Sequence, residues 1–331
     1  MSMYNYRIYY RFDTGKEEPM AKVFIDGQEG TTGLKIVERL MSRPDMDILF
    51  IDPDRRKDPE ARLKKIKEAD ITFLCLPDAA SREIAALAPR ECRILDTSTA
   101  HRTNPDWVYG FPELAPDQRR KIRESSRVAV PGCHASGFIA LVKPLVEMGI
   151  ISDEMVLSCT SLTGYSGGGK KMIAEYEQDT DGKLRAPRMY GLSQEHKHLP
   201  EMMSICGLKK APLFFPIVSS YYSGMVTTVS LTREESAAAI NPETLKEIYR
   251  KFYPEQPMIR LIENLPEQEG AMIRGDRLSG QDDMEILVTG NPDRMAISAS
   301  FDNLGKGASG AAIQCMNIML GLEETLGLVK G

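Results

Sequence analysis

The sequence has no excess of positive charge and no long apolar run. Lysine and arginine total 42 against 47 acidic residues in 331, which gives a net charge of −5 at pH 7. Nucleic-acid binding is disfavoured because no basic surface is available to neutralise a phosphate backbone. No stretch approaches the roughly 20 apolar residues of a membrane-spanning helix, and no signal-peptide pattern opens the chain. We therefore predict a cytoplasmic protein that acts on a small molecule.

Cysteine is also scarce, and its arrangement argues against metal sites and disulfide frameworks. The six cysteines are scattered singly, without the paired spacings that zinc sites and small disulfide-rich domains use. We predict reduced thiols and no bound metal. The cysteines are Cys75, Cys92, Cys133, Cys159, Cys206 and Cys315.

Short β-rich runs alternate with amphipathic helical segments in the first part of the chain. Residues 22–26 predict a strand that stops at a glycine turn, and 31–41 predict the helix that follows. Strands that alternate with helices are typical of a parallel, doubly wound α/β sheet. The further predicted strands are 47–52, 71–76 and 93–96, and the further predicted helices are 59–67 and 78–87.

Longer alternating segments follow residue 149 and predict a second, largely antiparallel sheet, at 155–163, 213–232 and 294–301. This sheet looks more apolar than a free surface, so we expect it to pair subunits in a homodimer or homotetramer. The apolar stretch 306–326 reads as a final helix.

The length of the chain favours two domains, because one typical core does not accommodate 331 residues. We assign 20–133 to a Rossmann-like domain and 134–304 to an α+β oligomerisation domain. Residues 305–331 are expected to return to the first domain. The leader, 1–19, is predicted to be disordered.

The first glycine turn predicts a nucleotide site. Gly27, Gly30 and Gly33 are spaced G-x-x-G-x-x-G between the first strand and the first helix. Such a turn brings backbone amides and the positive helix end close to a pyrophosphate. A tight turn without a ligand is the alternative, but the position at the first strand-to-helix junction favours the cofactor.

The end of the second strand favours NADP over NAD. The run Asp52-Pro53-Asp54-Arg55-Arg56-Lys57 combines acidic residues, which suit a ribose hydroxyl, with a basic cluster that suits a 2'-phosphate. We expect Arg55 and Arg56 to bind that phosphate. A solvated charge run is the alternative reading.

One cysteine stands out as a candidate nucleophile. Cys133 follows a strand at 128–130 and precedes an apolar helical segment, so its thiol is expected at a helix N-terminus. The helix dipole there favours the thiolate, and we expect a lowered pKa. Pro144 is expected to mark a kink or a second helix start. The adjacent His134 is a poor partner because neighbouring side chains usually diverge.

The stretch HKHLPEM holds two of the four histidines, His196 and His198, beside Glu195 and Glu201 at the start of an apolar helix. No cysteine or carboxylate is spaced to complete a metal site with them. We therefore predict acid–base chemistry.

Together the motifs resemble the shorter sequence type of the N-acetyl-gamma-glutamyl-phosphate reductases, from residue 20 to the end. They are FIDGQEGTTG, FLCLPD, LDTSTAHRT, YGFPEL, VPGCHASGFIAL, TGYSGGGKK, HKHLPEM and ASFDNLGKGASGAAIQ. A more distant similarity connects the chain to aspartate-semialdehyde and phosphorylating glyceraldehyde dehydrogenases.

The resemblance implies NADPH-dependent reduction of N-acetyl-gamma-glutamyl phosphate to N-acetyl-glutamate 5-semialdehyde and phosphate, in arginine biosynthesis. Cys133 would form a thioester with the acyl group, and His196 would be the acid–base group with His198 as its rival. Asn303 resembles the position that meets the nicotinamide carboxamide. The candidate cofactor contacts are Gly27, Gly30, Thr31, Thr32, Gly33, Arg55, Arg56, Leu76, Pro77, Ser98, Asn303 and Gly305.

The loop TGYSGGGKK is a candidate phosphate pocket, because Ser166, Gly167 and Gly168 offer a hydroxyl and backbone amides and Lys170 offers charge. A mobile solvent loop is the alternative. Arg102 is a candidate partner for the substrate carboxylate, as are Arg185 or Arg188.

Three other functions remain possible from the residues alone. They are an aspartate-semialdehyde-type dehydrogenase, a cysteine hydrolase built on Cys133, and a nucleotide-binding sensor without catalysis. The hydrolase reading leaves the glycine turn and the basic cluster unexplained.

Overall fold

A computed structural model of the chain describes residues 20–235, 240–266 and 270–331. The leader predicted at 1–19 lies outside the described residues. Within those residues, no helix has the length and apolar character that crossing a membrane would need.

The first part of the chain forms a six-stranded parallel sheet, sheet A, as the alternating pattern predicts. Its strand order is β2-β1-β3-β4-β6-β5, and every pairing is parallel. The strands are β1 (Ala21–Asp26), β2 (Met46–Leu49), β3 (Ile71–Leu74), β4 (Ile94–Asp96), β5 (Val108–Tyr109) and β6 (Arg127–Ala129).

Helices cover sheet A: α1 (Thr31–Met41), α2 (Pro59–Glu68), α3 (Asp78–Leu87) and α4 (Gln118–Glu124). The bounds of α1 and α3 are those that the sequence predicts. In α1 the buried side chains Ile36, Val37 and Leu40 recur at helical spacing, so one face packs on the sheet. Helix α2 begins after Asp58, whose carboxylate accepts the Glu60 N–H at 2.9 Å as an N-cap.

The second part of the chain forms a seven-stranded mixed sheet, sheet B, in the order β11-β12-β13-β10-β7-β9-β8. Four of its pairings are antiparallel, and β7–β9 and β11–β12 are parallel. The alternating stretch predicted at 213–232 forms two strands of this sheet. The strands are β7 (Ser158–Gly164), β8 (Arg188–Met189), β9 (Leu213–Ser219), β10 (Met225–Thr232), β11 (Ile259–Ile262), β12 (Met284–Gly290) and β13 (Arg294–Phe301).

The helices of this part are α5 (Cys133–Glu147), α6 (Gly169–Glu177), α7 (Leu199–Cys206) and α8 (Pro242–Phe252). Helix α5 runs through the larger core and packs on sheet B, where Phe138 and Leu141 are fully buried. Pro144 was expected to mark a kink or a second helix start, and the second start is wrong because α5 continues through Pro144.

Two tyrosines of the α8 region explain how α5 tolerates Pro144. A proline has no N–H, so the carbonyl four residues earlier, at Ala140, loses its usual helical donor. The Tyr253 hydroxyl donates to the Ala140 carbonyl at 2.9 Å, and the Tyr249 hydroxyl donates to the Leu141 carbonyl at 2.5 Å. The Tyr253 hydroxyl thus replaces the missing backbone donor, and the Tyr249 hydroxyl adds a bond at the next carbonyl.

The C-terminal segment returns to sheet A, as expected from the sequence. A π-helical turn (Gly305–Ser309) leads into α9 (Gly310–Leu320), whose Ile313 and Met316 share a core with Val23 and Leu95. The helix ends at Gly321, earlier than residue 326, because Gly321 takes a left-handed conformation with φ 74°.

A buried ion pair anchors the π-helical turn. The Lys306 ammonium donates to the Glu113 carboxylate at 2.7 Å and to the Gln314 side-chain oxygen at 2.6 Å. All three residues are buried.

Candidate active site

A cleft of about 570 Å³, which we call the main cleft, lies where the carboxyl ends of the sheet A strands meet three other segments. These are the start of α5, the glycine loop after β7 and the π-helical turn. Open α/β sheets bind ligands at this edge. Most of the predicted site residues line it. They are Gly30, Thr31, Thr32, Gly33, Leu76, Pro77, Ser98, Arg102, Cys133, Ser166, Gly167, Gly168, His196, His198 and Asn303.

Several predicted residues stand outside the lining of the main cleft. Gly27 and Gly305 lie in the glycine turn and the π-helical turn that border it, and Lys170 is exposed on α6. The others are Arg55, Arg56, Arg185 and Arg188.

The glycine turn has the geometry that a nucleotide pyrophosphate needs. Gly27 has φ +89°, and a Cβ there would lie 2.3 Å from the Cys75 carbonyl oxygen, so only glycine fits. Gly30 is the N-cap of α1, and no acidic side chain stands in the first helical turn. The amide end of α1 therefore faces the main cleft with no carboxylate in its own first turn, which fits an anionic cofactor group.

The basic cluster at the end of β2 is paired with carboxylates. The Arg55 guanidinium donates to Asp58 at 2.7 Å, and Arg56 bonds Glu29 in the glycine turn. Both arginines remain exposed. The Arg56–Glu29 contact joins the cluster to the turn, so the two predicted halves of the nucleotide site adjoin each other.

Cys133 is the first residue of α5, as the sequence predicts, with Gly132 as the N-cap. The π-helical turn presses against it, since a Cβ on Gly307 would lie 2.8 Å from the Cys133 Cβ. The expected lowering of the thiol pKa is wrong. Burial raises the pKa of the Cys133 thiol, and the His134 backbone N–H and the charges of Arg102 and Lys197 only partly oppose that rise.

Three imidazoles cluster beside this thiol. The ring centroids of His196 and His198 are 4.8 Å apart. The ring centroid of His134 lies 5.5 Å from that of His196 and 5.7 Å from that of His198. His134 is held by the Ser161 hydroxyl at 2.8 Å and the Tyr190 hydroxyl at 2.6 Å. It is a structural member of the cluster, and Tyr190 is a cleft residue that the sequence analysis missed.

All three histidines are neutral at pH 7. Burial lowers the pKa of His134 to about 3 and of His196 to about 4, and it lowers the pKa of His198 well below its ordinary value. The His198 backbone N–H donates to Nδ1 of His196 at 3.2 Å, so the proton of neutral His196 sits on Nε2. Among the described residues, Nδ1 of His198 has no hydrogen-bond partner.

A buried carboxylate, that of Glu201, binds three residues from separate parts of the chain, one of which is Gly132 next to Cys133. Glu201, 1% exposed, accepts from Nη1 of Arg102 at 3.1 Å, from the Tyr109 hydroxyl at 2.6 Å and from the Gly132 N–H at 2.9 Å. Sequence analysis noted Glu201 only as a neighbour of the histidines. Its place in the HKHLPEM motif is the one sequence feature that could have identified Glu201 as a site residue, because its three partners are 69 to 99 residues away in the chain.

The glycine loop after β7 is tied to the Asn303 side chain. Nδ2 of Asn303 donates to the Ser166 hydroxyl at 2.9 Å, and its Oδ1 accepts the Gly224 N–H at 2.9 Å. The structure thus brings the candidate phosphate loop and the candidate nicotinamide contact together.

The described residues contain no group of three or more His, Cys, Asp and Glu side chains arranged to hold a metal ion. All six cysteines are free thiols.

Family comparisons define the class of protein. Residues 22–122 match the model of the semialdehyde dehydrogenase NAD-binding domain, and residues 133–303 match that of the semialdehyde dehydrogenase dimerisation domain. A solved aspartate semialdehyde dehydrogenase II from Vibrio cholerae superposes with a TM-score of 0.69 at 17% identity, covering 92% of this chain and 99% of that one. An aspartate semialdehyde dehydrogenase with NADP from Candida albicans has a TM-score of 0.61 at 17% identity, with 91% and 98% covered. At these identities the structures show the fold alone.

Curated relatives narrow the class. An N-acetyl-gamma-glutamyl-phosphate reductase of Sinorhizobium medicae is 42% identical over 305 residues, which covers 90% of this chain and 98% of the relative. An N-acetyl-gamma-glutamyl-phosphate reductase 2 of Pseudomonas putida is 39% identical over 308 residues, with 92% and 98% covered. The chain therefore belongs to the N-acetyl-gamma-glutamyl-phosphate reductases within the semialdehyde dehydrogenase family.

Proposed function

We propose that this protein reduces N-acetyl-gamma-glutamyl phosphate to N-acetyl-glutamate 5-semialdehyde and phosphate with NADPH, in arginine biosynthesis. The observation that carries the proposal is the position of Cys133. It starts α5 at the floor of the main cleft, between the glycine turn and the histidine cluster, in a chain whose curated relatives are named for this reaction.

In the first step the sulfur of Cys133 attacks the acyl carbon. A carbon–sulfur bond forms and the carbon–oxygen bond to phosphate breaks, so a thioester remains on the protein. The thiol proton ends on the departing phosphate, which leaves as hydrogen phosphate.

In the second step the thioester carbon is reduced to the aldehyde. A nicotinamide cofactor held by the glycine turn and Asn303 would supply the hydride. The carbon–sulfur bond breaks, the sulfur keeps the electron pair and regains a proton from solvent, and the aldehyde is released. Neutral His196, with its proton on Nε2, is suited to donate a hydrogen bond to the acyl oxygen as negative charge develops there. His198, whose Nδ1 is unpaired among the described residues, is the second candidate for proton transfer.

The substrate assignment is tested in the phosphate-dependent oxidative direction. We expect activity with N-acetyl-glutamate 5-semialdehyde to exceed that with aspartate semialdehyde by orders of magnitude. Higher activity with aspartate semialdehyde would contradict this assignment and identify the protein as an aspartate-semialdehyde-type dehydrogenase.

We also propose that NADPH is preferred over NADH. The amide end of α1 and the contact of Arg56 with Glu29 support a 2'-phosphate site beside the glycine turn. Replacing both Arg55 and Arg56 with alanine should raise the KM for NADPH at least about 10-fold while changing that for NADH little. An equal effect on both cofactors would remove this assignment.

We propose that the protein acts in the cytoplasm as a homo-oligomer, with 20–133 and 305–331 binding the cofactor and 134–304 carrying catalysis and subunit contacts. The match of 133–303 to a dimerisation domain supports this. The face of sheet B away from α5 carries hydroxyl side chains such as Thr160, Thr228 and Ser298, and apolar side chains such as Leu162, Val226 and Leu287. Sedimentation velocity tests the assembly, and a monomer at micromolar concentration would contradict it.

A further inference from the structure

The main cleft holds a cation that the sequence analysis did not single out. Lys197 stands between His196 and His198 in the chain, lines the main cleft and is exposed. Among the residues that the structure describes, no hydrogen bond or ion pair engages its ammonium. Lys197 shares the lining of the main cleft with Cys133 and Asp78. Its charge acts to lower the pKa of both groups.

Of the other cations proposed for substrate binding, Arg102 already has partners, and Arg185 and Arg188 lie outside the lining of the main cleft. All three guanidinium nitrogens of Arg102 already donate to protein oxygens: Nε to Val130 at 2.9 Å, Nη1 to Glu201 at 3.1 Å and Nη2 to Thr97 at 3.0 Å. The Glu201 carboxylate also balances its charge. Lys170 lies outside the lining of the cleft. Lys197 therefore brings a positive charge to the nucleophile that no described carboxylate pairs with.

We propose that the ammonium of Lys197 binds the phosphate of the acyl phosphate substrate beside Cys133. This inference rests on the proposed function and adds a residue to it. The substrate carries two anionic groups, a phosphate and an α-carboxylate. The phosphate is bonded to the carbon that the sulfur attacks, whereas the carboxylate lies several bonds away. A cation that lines the same cleft as the sulfur is therefore placed to meet the phosphate.

Binding there also assists the reaction. As the carbon–oxygen bond breaks, negative charge grows on the departing phosphate, and an ammonium bound to it stabilises that charge. In the reverse direction the same group captures inorganic phosphate next to the thioester. Lys197 is then a catalytic residue by contact with the substrate, while Arg102 and Glu201 position the loop around Gly132.

The first test measures steady-state kinetics in the oxidative direction for Lys197→Met, Lys197→Arg and Lys210→Met. Lys210 is the matched control, because it is an exposed lysine beyond the other end of α7 and away from the main cleft. We expect Lys197→Met to raise the KM for phosphate about 10- to 100-fold, with Lys197→Arg largely restoring it and the KM for NADP little changed. Lys210→Met should behave as the unsubstituted protein.

The second test does not depend on turnover. Inorganic phosphate should slow the alkylation of Cys133 by iodoacetamide at constant ionic strength, and Lys197→Met should abolish that protection. Protection in a protein without reductase activity would refute the proposed function and leave this site standing. Protection that survives in Lys197→Met, or is lost equally in Lys170→Met, would overturn the assignment of Lys197.

Discussion

At the scale of single residues, the nucleophile depends on a glycine 174 positions later in the chain. Cys133 and Gly307 meet so closely that a Cβ on Gly307 would stand 2.8 Å from the Cys133 Cβ. The buried Lys306–Glu113 pair holds the π-helical turn in place, so the turn cannot easily retreat from an added methyl group. The cysteine side chain is the part that has to move.

Gly307→Ala should therefore displace the thiol and lower kcat/KM on the order of 100-fold, because misplacement by about 1 Å has that effect. Steady-state assays measure the loss, and thermal unfolding is the control for folding. A variant that keeps both its turnover and its melting temperature would show that the contact does not position Cys133.

At the scale of elements, α5 depends on a hydroxyl supplied from the α8 region. The Tyr253 hydroxyl serves the Ala140 carbonyl that Pro144 leaves without a donor. Tyr253→Phe should destabilise the protein by about 1–2 kcal/mol, the cost of an unsatisfied buried carbonyl.

Restoring the backbone donor with Pro144→Ala should remove most of that cost. A double-mutant cycle in urea is expected to give a coupling energy of about 1 kcal/mol between the two positions. Additive effects of the two substitutions would mean that the hydroxyl does not compensate for the proline.

The boundaries of helices and strands were predictable where glycine or proline residues mark the turn beside them. Helices α1 and α3 have the bounds expected from the sequence, because a glycine turn precedes one and Leu76-Pro77 precedes the other. Strand β5 and helix α4 are not predicted, since a two-residue strand and a seven-residue, strongly charged helix carry little periodicity. The length of the last helix was overestimated because its capping glycine, Gly321, was not recognised.

The candidate site was predictable only where its residues share a motif. Cys133, His196 and the glycine turn are visible in short stretches of sequence. The contacts of Glu201 with Arg102, Tyr109 and Gly132 join residues from distant parts of the chain, so only the fold reveals them. The thiol pKa was predicted in the wrong direction, because the helix dipole is readable from sequence and burial of the thiol is not.

At the scale of the whole molecule, the neutral histidine cluster makes stability depend on pH. The pKa of His134 falls from 6.5 to about 3 on folding. Between these two pH values the unfolded chain therefore binds a proton at His134 and the folded chain does not. The contribution of His134 to the free energy of unfolding is complete above pH 6.5 and is lost as the pH falls toward 3. Asp26 acts in the opposite direction between pH 3.8 and about 6, since burial raises its pKa.

Urea unfolding at pH 7, 6 and 5 measures this dependence. In the linear range, His134 should contribute a loss of roughly 1.4 kcal/mol per pH unit. His134→Gln, which cannot take up the proton, should show a correspondingly shallower decline. Identical slopes for the two proteins would mean that His134 is protonated equally in both states.

The account depends most on Cys133 as the residue that carries the acyl group. Mass spectrometry after addition of N-acetyl-gamma-glutamyl phosphate without NADPH tests this directly. We predict one acyl adduct on the peptide that contains Cys133, no adduct in Cys133→Ser, and release of the adduct when NADPH is added. An adduct on another residue, or near-normal turnover in Cys133→Ser, would contradict the account.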